Sequence, residues 1–204
     1  MRVLIGLLIL GCASIPTSAE SLFFDDFESG LSAWPISSHG VVVDDPLMPG
    51  NSVLSFTGTD AAGDAFSPEF IAHSNYRFVL TFRYLGLVDD QPTPDNLGGY
   101  IGYCDGPNIQ EDWLGGTDLC DSEDFEMIDD GQWHSYAFEF SPYDLFTEPF
   151  TTIRLMVEDW NGGAGHCPPD NLAGDVFFDD IELVVFDPVS NSESTWGSVK
   201  RLYR

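Results

Sequence analysis

Residues 76–84 have the sequence Tyr-Arg-Phe-Val-Leu-Thr-Phe-Arg-Tyr, and this stretch decides the fold class. Large apolar side chains occupy every second position, while Arg77 and Arg83 occupy positions between them. A period of two residues with one apolar side is typical of an antiparallel strand that packs one face on a core. The stretch therefore predicts a half-buried strand whose aromatic face points inward.

The same pattern recurs along the chain in short runs separated by Gly, Pro, Asn and Asp, which favours a sandwich or barrel. We therefore predict an all-β, antiparallel β-sandwich over residues 20–187. The segment Asp105–Asp130, which contains Trp113, is predicted to be a long loop. The predicted strands are Leu22–Phe27, Val41–Asp44, Val53–Thr57, Ala65–Ile71, Tyr76–Tyr84, Gly99–Cys104, Trp133–Phe140, Thr152–Glu158 and Asp175–Phe186.

The charge of the chain is strongly acidic and unevenly placed. The sequence has 34 acidic and 7 basic residues, a formal net charge of -27, which argues against nucleic acid as a partner. Residues 20–199 hold all the acidic residues but only three basic ones, Arg77, Arg83 and Arg154. Each of these arginines falls on the outward side of a predicted strand. They either pair with local carboxylates or meet a ligand.

The first residues have the features of an export signal. Arg2 supplies a positive start, residues 3–13 are an apolar run, and Thr17-Ser18-Ala19 supplies small residues before a cleavage site. We expect residues 1–19 to be a signal peptide and the mature protein to be secreted. The alternative is a lipoprotein of the outer membrane or cell surface, because residues 9–12 also resemble a lipobox that ends at Cys12.

Three cysteines follow the predicted signal. Export favours disulfides, since extracytoplasmic compartments are oxidising. Cys104 and Cys120 flank one Asp-rich segment, and we predict that they pair. Pairing of Cys167 with either of them is the alternative.

Both ends of the body resemble a known family. Residues 24–31, Phe-Asp-Asp-Phe-Glu-Ser-Gly-Leu, are followed by Trp34, and residues 174–183 have the sequence Gly-Asp-Val-Phe-Phe-Asp-Asp-Ile-Glu-Leu. These motifs resemble the opening and closing strands of galactose-binding-like jelly rolls, which include many carbohydrate-binding modules. The segment 131–136, which contains Trp133, resembles a strand common in the same sandwiches. The resemblance implies a jelly-roll fold.

The resemblance also implies a structural calcium ion between the first and last strands. Calcium takes six to eight oxygen ligands, so closely spaced carboxylates suit it. Alternation would place Asp179 on one face with Phe177, Ile181 and Leu183. The implied ligands are Asp26, Glu28 and Asp179, with Asp25, Asp64 and Asp180 in reserve.

Sugar-binding modules use aromatic faces that stack on sugar rings and polar side chains that bond the hydroxyls. The candidates outside the predicted core are Trp113, Trp160, Tyr100, Arg83, Arg154, Asp159 and Asn161. The sequence contains no catalytic motif of the nucleophile-elbow, phosphate-loop or zinc-helix type, so we expect no enzyme activity. The expected function is a secreted, calcium-stabilised module that binds a polysaccharide.

The composition changes after Pro188. Residues 195–204 contain Trp196, Val199 and Tyr203 at helical spacing, together with three basic residues. We predict that residues 188–204 form a tail for sorting or docking. The alternative function is therefore a structural or adhesive protein that contacts cell-envelope components and uses the sandwich for assembly.

Overall fold

The chain folds into two antiparallel sheets of six strands each. The computed structural model describes residues 19–56, 63–73, 76–88, 98–116, 127–160 and 173–186. Within these ranges, no helix has the length and apolar character needed to cross a membrane. The strands are β1 (Ala19–Asp25), β2 (Ile36–Ser38), β3 (Gly40–Asp44), β4 (Ser52–Phe56), β5 (Gly63–Phe66), β6 (Phe70–Ile71), β7 (Arg77–Val88), β8 (Gly98–Asp105), β9 (Glu111–Gly116), β10 (His134–Phe140), β11 (Thr152–Trp160) and β12 (Ala173–Phe186). A 3-10 turn spans Leu31–Ala33, and the helical turn α1 spans Pro142–Leu145.

In each sheet one strand, β12 in the first and β11 in the second, pairs with three other strands. The first sheet has the order β10-β7-β12-β4-β3, and β1 also pairs with β12. The second sheet has the order β2-β5-β11-β8-β9, and β6 also pairs with β11. All the pairings are antiparallel, as predicted. The predicted β-sandwich is confirmed.

Aromatic side chains from both sheets pack in the space between them. The predicted inward positions of β7 are confirmed, since Phe78, Leu80 and Phe82 are all buried in the main core. Tyr103 of the second sheet stacks on Phe140 of the first, with ring centroids 4.3 Å apart and planes inclined by 20°. Large apolar groups on alternate positions thus hold the two sheets face to face.

Two predictions about strands are wrong. The segment 105–130 is not one long loop, because Glu111–Gly116 forms β9, an edge strand paired with β8. The face predicted for Asp179 is also wrong: Phe178, rather than Phe177, lies in the core with Ile181. The cause is a bulge at Asp179 and Asp180, where the register with β7 shifts and Asp180 takes a φ of 50°. The extra residue reverses the alternation, and Asp179 points away from the core.

Candidate functional site

The outward side of the second sheet collects polar and aromatic side chains from four strands. In β11, Leu155 and Val157 point into the core, so alternation directs Arg154, Met156 and Glu158 outward. Across the strand pairs, Glu158 lies opposite Asp64 and Tyr100, Met156 lies opposite Phe66 and Gly102, and Trp113 of β9 also lies opposite Gly102. We call this surface the second-sheet face; it comprises Asp64, Phe66, Tyr100, Trp113, Arg154, Met156 and Glu158.

An aromatic pair forms one side of the face. The rings of Tyr100 and Trp113 meet edge to face, with centroids 5.6 Å apart and planes at 67°. Glycines make room for them: a Cβ at Gly102 would lie 2.9 Å from Trp113 Cα, and a Cβ at Gly116 would lie 2.7 Å from the Tyr100 ring. Tyr100 is buried whereas Trp113 is half-buried. Trp113 is therefore the more accessible ring of this pair.

A carboxyl pair lies beside the aromatic pair. Glu158 is only 7% exposed and forms a side-chain hydrogen bond with Asp64 across the strands. Burial, with Asp64 beside it, raises the pKa of Glu158 to about 8. A carboxyl pair that keeps one proton at neutral pH has one O–H donor as well as several acceptor oxygens. Such a pair is able both to donate to and to accept from the hydroxyls of a ligand.

One end of the face is closed by an ion pair. Arg154 Nη2 donates to Glu69 Oε1 at 2.6 Å, and the hydroxyl of Thr152 donates to Glu69 Oε2 at 2.9 Å. The hydrogen bond from Thr152 lowers the pKa of Glu69 most, and the hydrogen bond from Arg154 lowers it further. Arg154 Nε is buried and has no hydrogen-bond partner. The guanidinium is therefore paired with Glu69, and its buried Nε–H group has no hydrogen-bond acceptor.

No protein-family model matches the sequence, and no curated protein matches it. Among solved structures, the chain is similar to the tandem CBM22-1–CBM22-2 domain of Xyn10C from Paenibacillus barcinonensis, with 16% identity and a TM-score of 0.50. That match covers 90% of this chain and 50% of the tandem, so the chain spans half of its length. The fold is a β-sandwich of the carbohydrate-binding-module type. A cyclase from Fischerella sp. TAU is also similar, with 12% identity, a TM-score of 0.54, and coverage of 85% of this chain and all of that one.

The carbohydrate-binding-module-type sandwich brings three of the predicted ligand residues together on one face, namely Tyr100, Trp113 and Arg154. For Trp160, only its place at the end of β11 is described, and Asn161 lies outside the described residues. The remaining two, Arg83 and Asp159, lie elsewhere, and each has a structural environment of its own.

Arg83 lies on the outward side of the first sheet. Its Nη1 donates to Asp179 Oδ2 at 3.1 Å, and its guanidinium carbon lies 4.6 Å from the ring centroid of Trp133. The Trp133 indole donates to Asp45, and Asn51 joins Asp45 to Asp179 through its side-chain amide. The network fixes the β3–β4 loop on the first sheet, so the role of Arg83 there is structural.

Asp159 occupies an inward-facing position in the alternation of β11, opposite Gly63 and Gly99. Burial raises its pKa to about 7, and the charges of Asp175 and Asp129 add to this effect. Its Oδ1 atom is buried without a hydrogen-bond partner. A carboxyl group in this position does not face a ligand on the second-sheet face.

The opening motif is held by hydrogen bonds. Asp25 is buried, and its two oxygens accept from the Phe27 amide and the Trp34 indole, each at 2.9 Å. Phe27 is fully buried and has a φ of 57°, and Asp25 satisfies its backbone amide. Asp26 Oδ1 accepts from the backbone amide of Glu28 at 3.2 Å. Protein donors therefore already occupy both oxygens of Asp25.

Most of the other predicted calcium ligands also have protein partners. Glu28 accepts from the Ser52 amide, Asp179 accepts from Arg83 and Asn51, Asp180 lies 3.6 Å from Arg83, and Asp64 belongs to the second-sheet face. Among the described residues, no three His, Cys, Asp or Glu side chains are grouped to hold a metal ion. Calcium binding stays a prediction, which thermal unfolding in EDTA and then in added calcium tests.

The structure does not show the predicted Cys104–Cys120 disulfide. Cys104 is a free thiol, fully buried in β8, and burial raises its pKa to about 12. It lies opposite Arg154, in a strand whose residues are all buried. Cys120 and Cys167 lie outside the described residues.

Sequence reasoning missed the carboxyl pair and the ion pair of the face. Asp64 was predicted only as a reserve calcium ligand, and Glu158 and Glu69 were not predicted as site residues. The alternating pattern of β11 correctly predicts that the side chain of Glu158 faces outward. The burial of Glu158 beside Asp64 could not be predicted, because the two residues are distant in sequence and meet only through the pairing of β5 with β11.

Proposed function

We propose that this chain is a non-catalytic glycan-binding module whose ligand lies on the second-sheet face. One observation carries the proposal: the fold gathers an aromatic pair, a carboxyl pair and a guanidinium on one surface. Sugars present apolar ring faces and hydroxyl edges, so they need both an aromatic ring and convergent polar groups. The similarity to a carbohydrate-binding tandem supports the same proposal at the level of the fold.

The groups of the face have different tasks in this proposal. The half-buried ring of Trp113 stacks on a sugar ring, and Tyr100 holds Trp113 in place through its edge contact. The Glu158–Asp64 pair bonds the ring hydroxyls as donor and acceptor. The predicted export signal at residues 1–19 suits a module that meets polysaccharide outside the cell.

A glycan array of neutral, acidic and amino-bearing oligosaccharides, xylohexaose among them, tests the proposal. Each hit is then titrated by calorimetry against the wild type, Trp113→Ala and Phe24→Ala. Phe24 is the matched control, because it is a 56% exposed aromatic on β1 of the other sheet. We expect Trp113→Ala to weaken binding about tenfold and Phe24→Ala to leave it unchanged.

Two results would overturn the proposal. One is the absence of binding across the array by a folded protein. The other is equal weakening by both substitutions, which would place the ligand away from the second-sheet face.

A further inference from the structure

The three arginines of the body share one property that bears on the ligand. Arg77 Nη1 lies 2.8 Å from Asp144, Arg83 Nη1 lies 3.1 Å from Asp179, and Arg154 Nη2 lies 2.6 Å from Glu69. Residues 20–199 contain no other lysine or arginine. Every arginine and lysine of the body is therefore already paired with a carboxylate.

The second-sheet face and its surroundings carry negative charge. Asp64 belongs to the face, and the exposed Glu111 lies beside it, opposite Cys104 of β8. The third carboxyl group, Glu158, adds no charge at pH 6, because burial raises its pKa to about 8. Its one arginine, Arg154, is neutralised by Glu69. A ligand with carboxylate or sulfate groups would meet carboxylates here, with no unpaired arginine or lysine among the residues that the structure describes, and like charges brought together at an interface cost several kcal/mol.

We propose that the second-sheet face selects glycans that lack acidic groups, and that an amino-bearing glycan binds more tightly than its uncharged counterpart. This inference rests on the proposed function, because it assigns the chemical class of the ligand to the same face. Hydroxyl and ammonium groups both donate hydrogen bonds to carboxylate oxygens, whereas ligand carboxylates do not. Electrostatic attraction between an ammonium group and the carboxylates of the face increases the affinity, and dissolved salt screens this attraction.

Three hexasaccharides with one linkage and different charge test the inference: β-1,4-linked glucose, glucosamine and glucuronate. Their dissociation constants are measured at pH 6 in 20 mM and in 1 M NaCl. At low salt we expect the glucosamine hexamer to bind about threefold to tenfold more tightly than the glucose hexamer, and the glucuronate hexamer to give no measurable binding. In 1 M NaCl, the difference between the glucosamine and glucose hexamers should almost vanish.

A pair of charge-matched variants tests whether the effect is local. Glu69→Gln removes the partner of Arg154 and keeps an acceptor for the Thr152 hydroxyl. Asp144→Asn removes the partner of Arg77 on the first sheet and changes the net charge by the same amount. We expect the glucuronate hexamer to gain measurable affinity for Glu69→Gln alone. Glu111→Gln gives a second test, in which the preference for glucosamine over glucose should shrink.

Several outcomes would overturn the inference. Binding of the glucuronate hexamer as tight as that of the glucose hexamer at low salt is one, and an equal response of Glu69→Gln and Asp144→Asn is another. If the array finds a ligand but none of the three hexamers binds, the charge selection is refuted while the glycan-binding function stands. If the array finds no ligand, both proposals fall.

Discussion

The hydrogen bond between Trp34 and Asp25 predicts a strong energetic coupling between these two residues. The indole Nε1 donates to Asp25 Oδ2 at 2.9 Å, and both side chains are buried. A hydrogen bond to a buried charged group contributes about 1.5–3 kcal/mol. Trp34→Phe removes the donor and also reduces packing against Phe23 and Phe27, whose rings lie 5.3 and 6.0 Å away. We expect Trp34→Phe to lower the free energy of unfolding by about 3–5 kcal/mol.

A double-mutant cycle separates the hydrogen bond from the packing. The wild type, Trp34→Phe, Asp25→Ala and the double variant are unfolded in urea at pH 7, and the interaction energy is calculated from the four free energies. We expect an interaction energy of about 1.5–3 kcal/mol, equal in EDTA and in calcium, because protein donors satisfy both carboxylate oxygens. An interaction energy below about 0.5 kcal/mol, or one that requires calcium, would refute this reasoning.

Three further predictions concern single substitutions. The folded chain binds the proton of Glu158 more tightly than the unfolded chain, so the stability that this proton contributes is lost as the pH rises from about 4.5 to about 8. Urea unfolding at a series of pH values should show that Glu158→Gln makes the free energy of unfolding less dependent on pH over this range. At pH 9 the substitution should raise the free energy of unfolding by about 2 kcal/mol. Gln110→Ala removes an acceptor that two backbone amides of residues 147–148 share at 2.8 Å each, so hydrogen exchange should accelerate at those two amides and not along β7. Gly86→Ala places a Cβ against the Asp129 carboxylate and against the Tyr84 hydroxyl that donates to it, so thermal unfolding should report a loss of about 1–3 kcal/mol in the free energy of unfolding.

The strands that the sequence predicted well are those with a strict two-residue period. In β7 and β11, apolar side chains on alternate positions identified the inward side correctly, as the burial of Phe82 and Leu155 shows. The nine predicted strands all exist with boundaries that differ by a few residues, and Ala65–Ile71 is divided into β5 and β6. A local pattern was sufficient here because the burial of one face dictates it.

Features that depend on partners distant in sequence were not predictable. The bulge at Asp180 has no signal in the alternation itself, and it reversed the side assigned to Asp179. The strand β9 has two glycines and two acidic residues among six, a composition that indicates a loop. Pairing with β8 overrides that preference. The candidate site was half predicted: Trp113, Tyr100 and Arg154 were named from their types, but only the sheet pairing shows that they share a face.

The most direct test of the proposal that the second-sheet face binds glycan is the response of the tryptophan indole N–H groups to a ligand from the array, followed by ¹H–¹⁵N NMR. Three of the five indoles report separate described places: Trp113 lies on the second-sheet face, Trp34 in the core, and Trp133 on the outward side of the first sheet. The account predicts a saturable shift of the Trp113 indole resonance with little change at Trp34 and Trp133. A shift at Trp133 with an unchanged Trp113 resonance would contradict it and move the binding site to the other sheet.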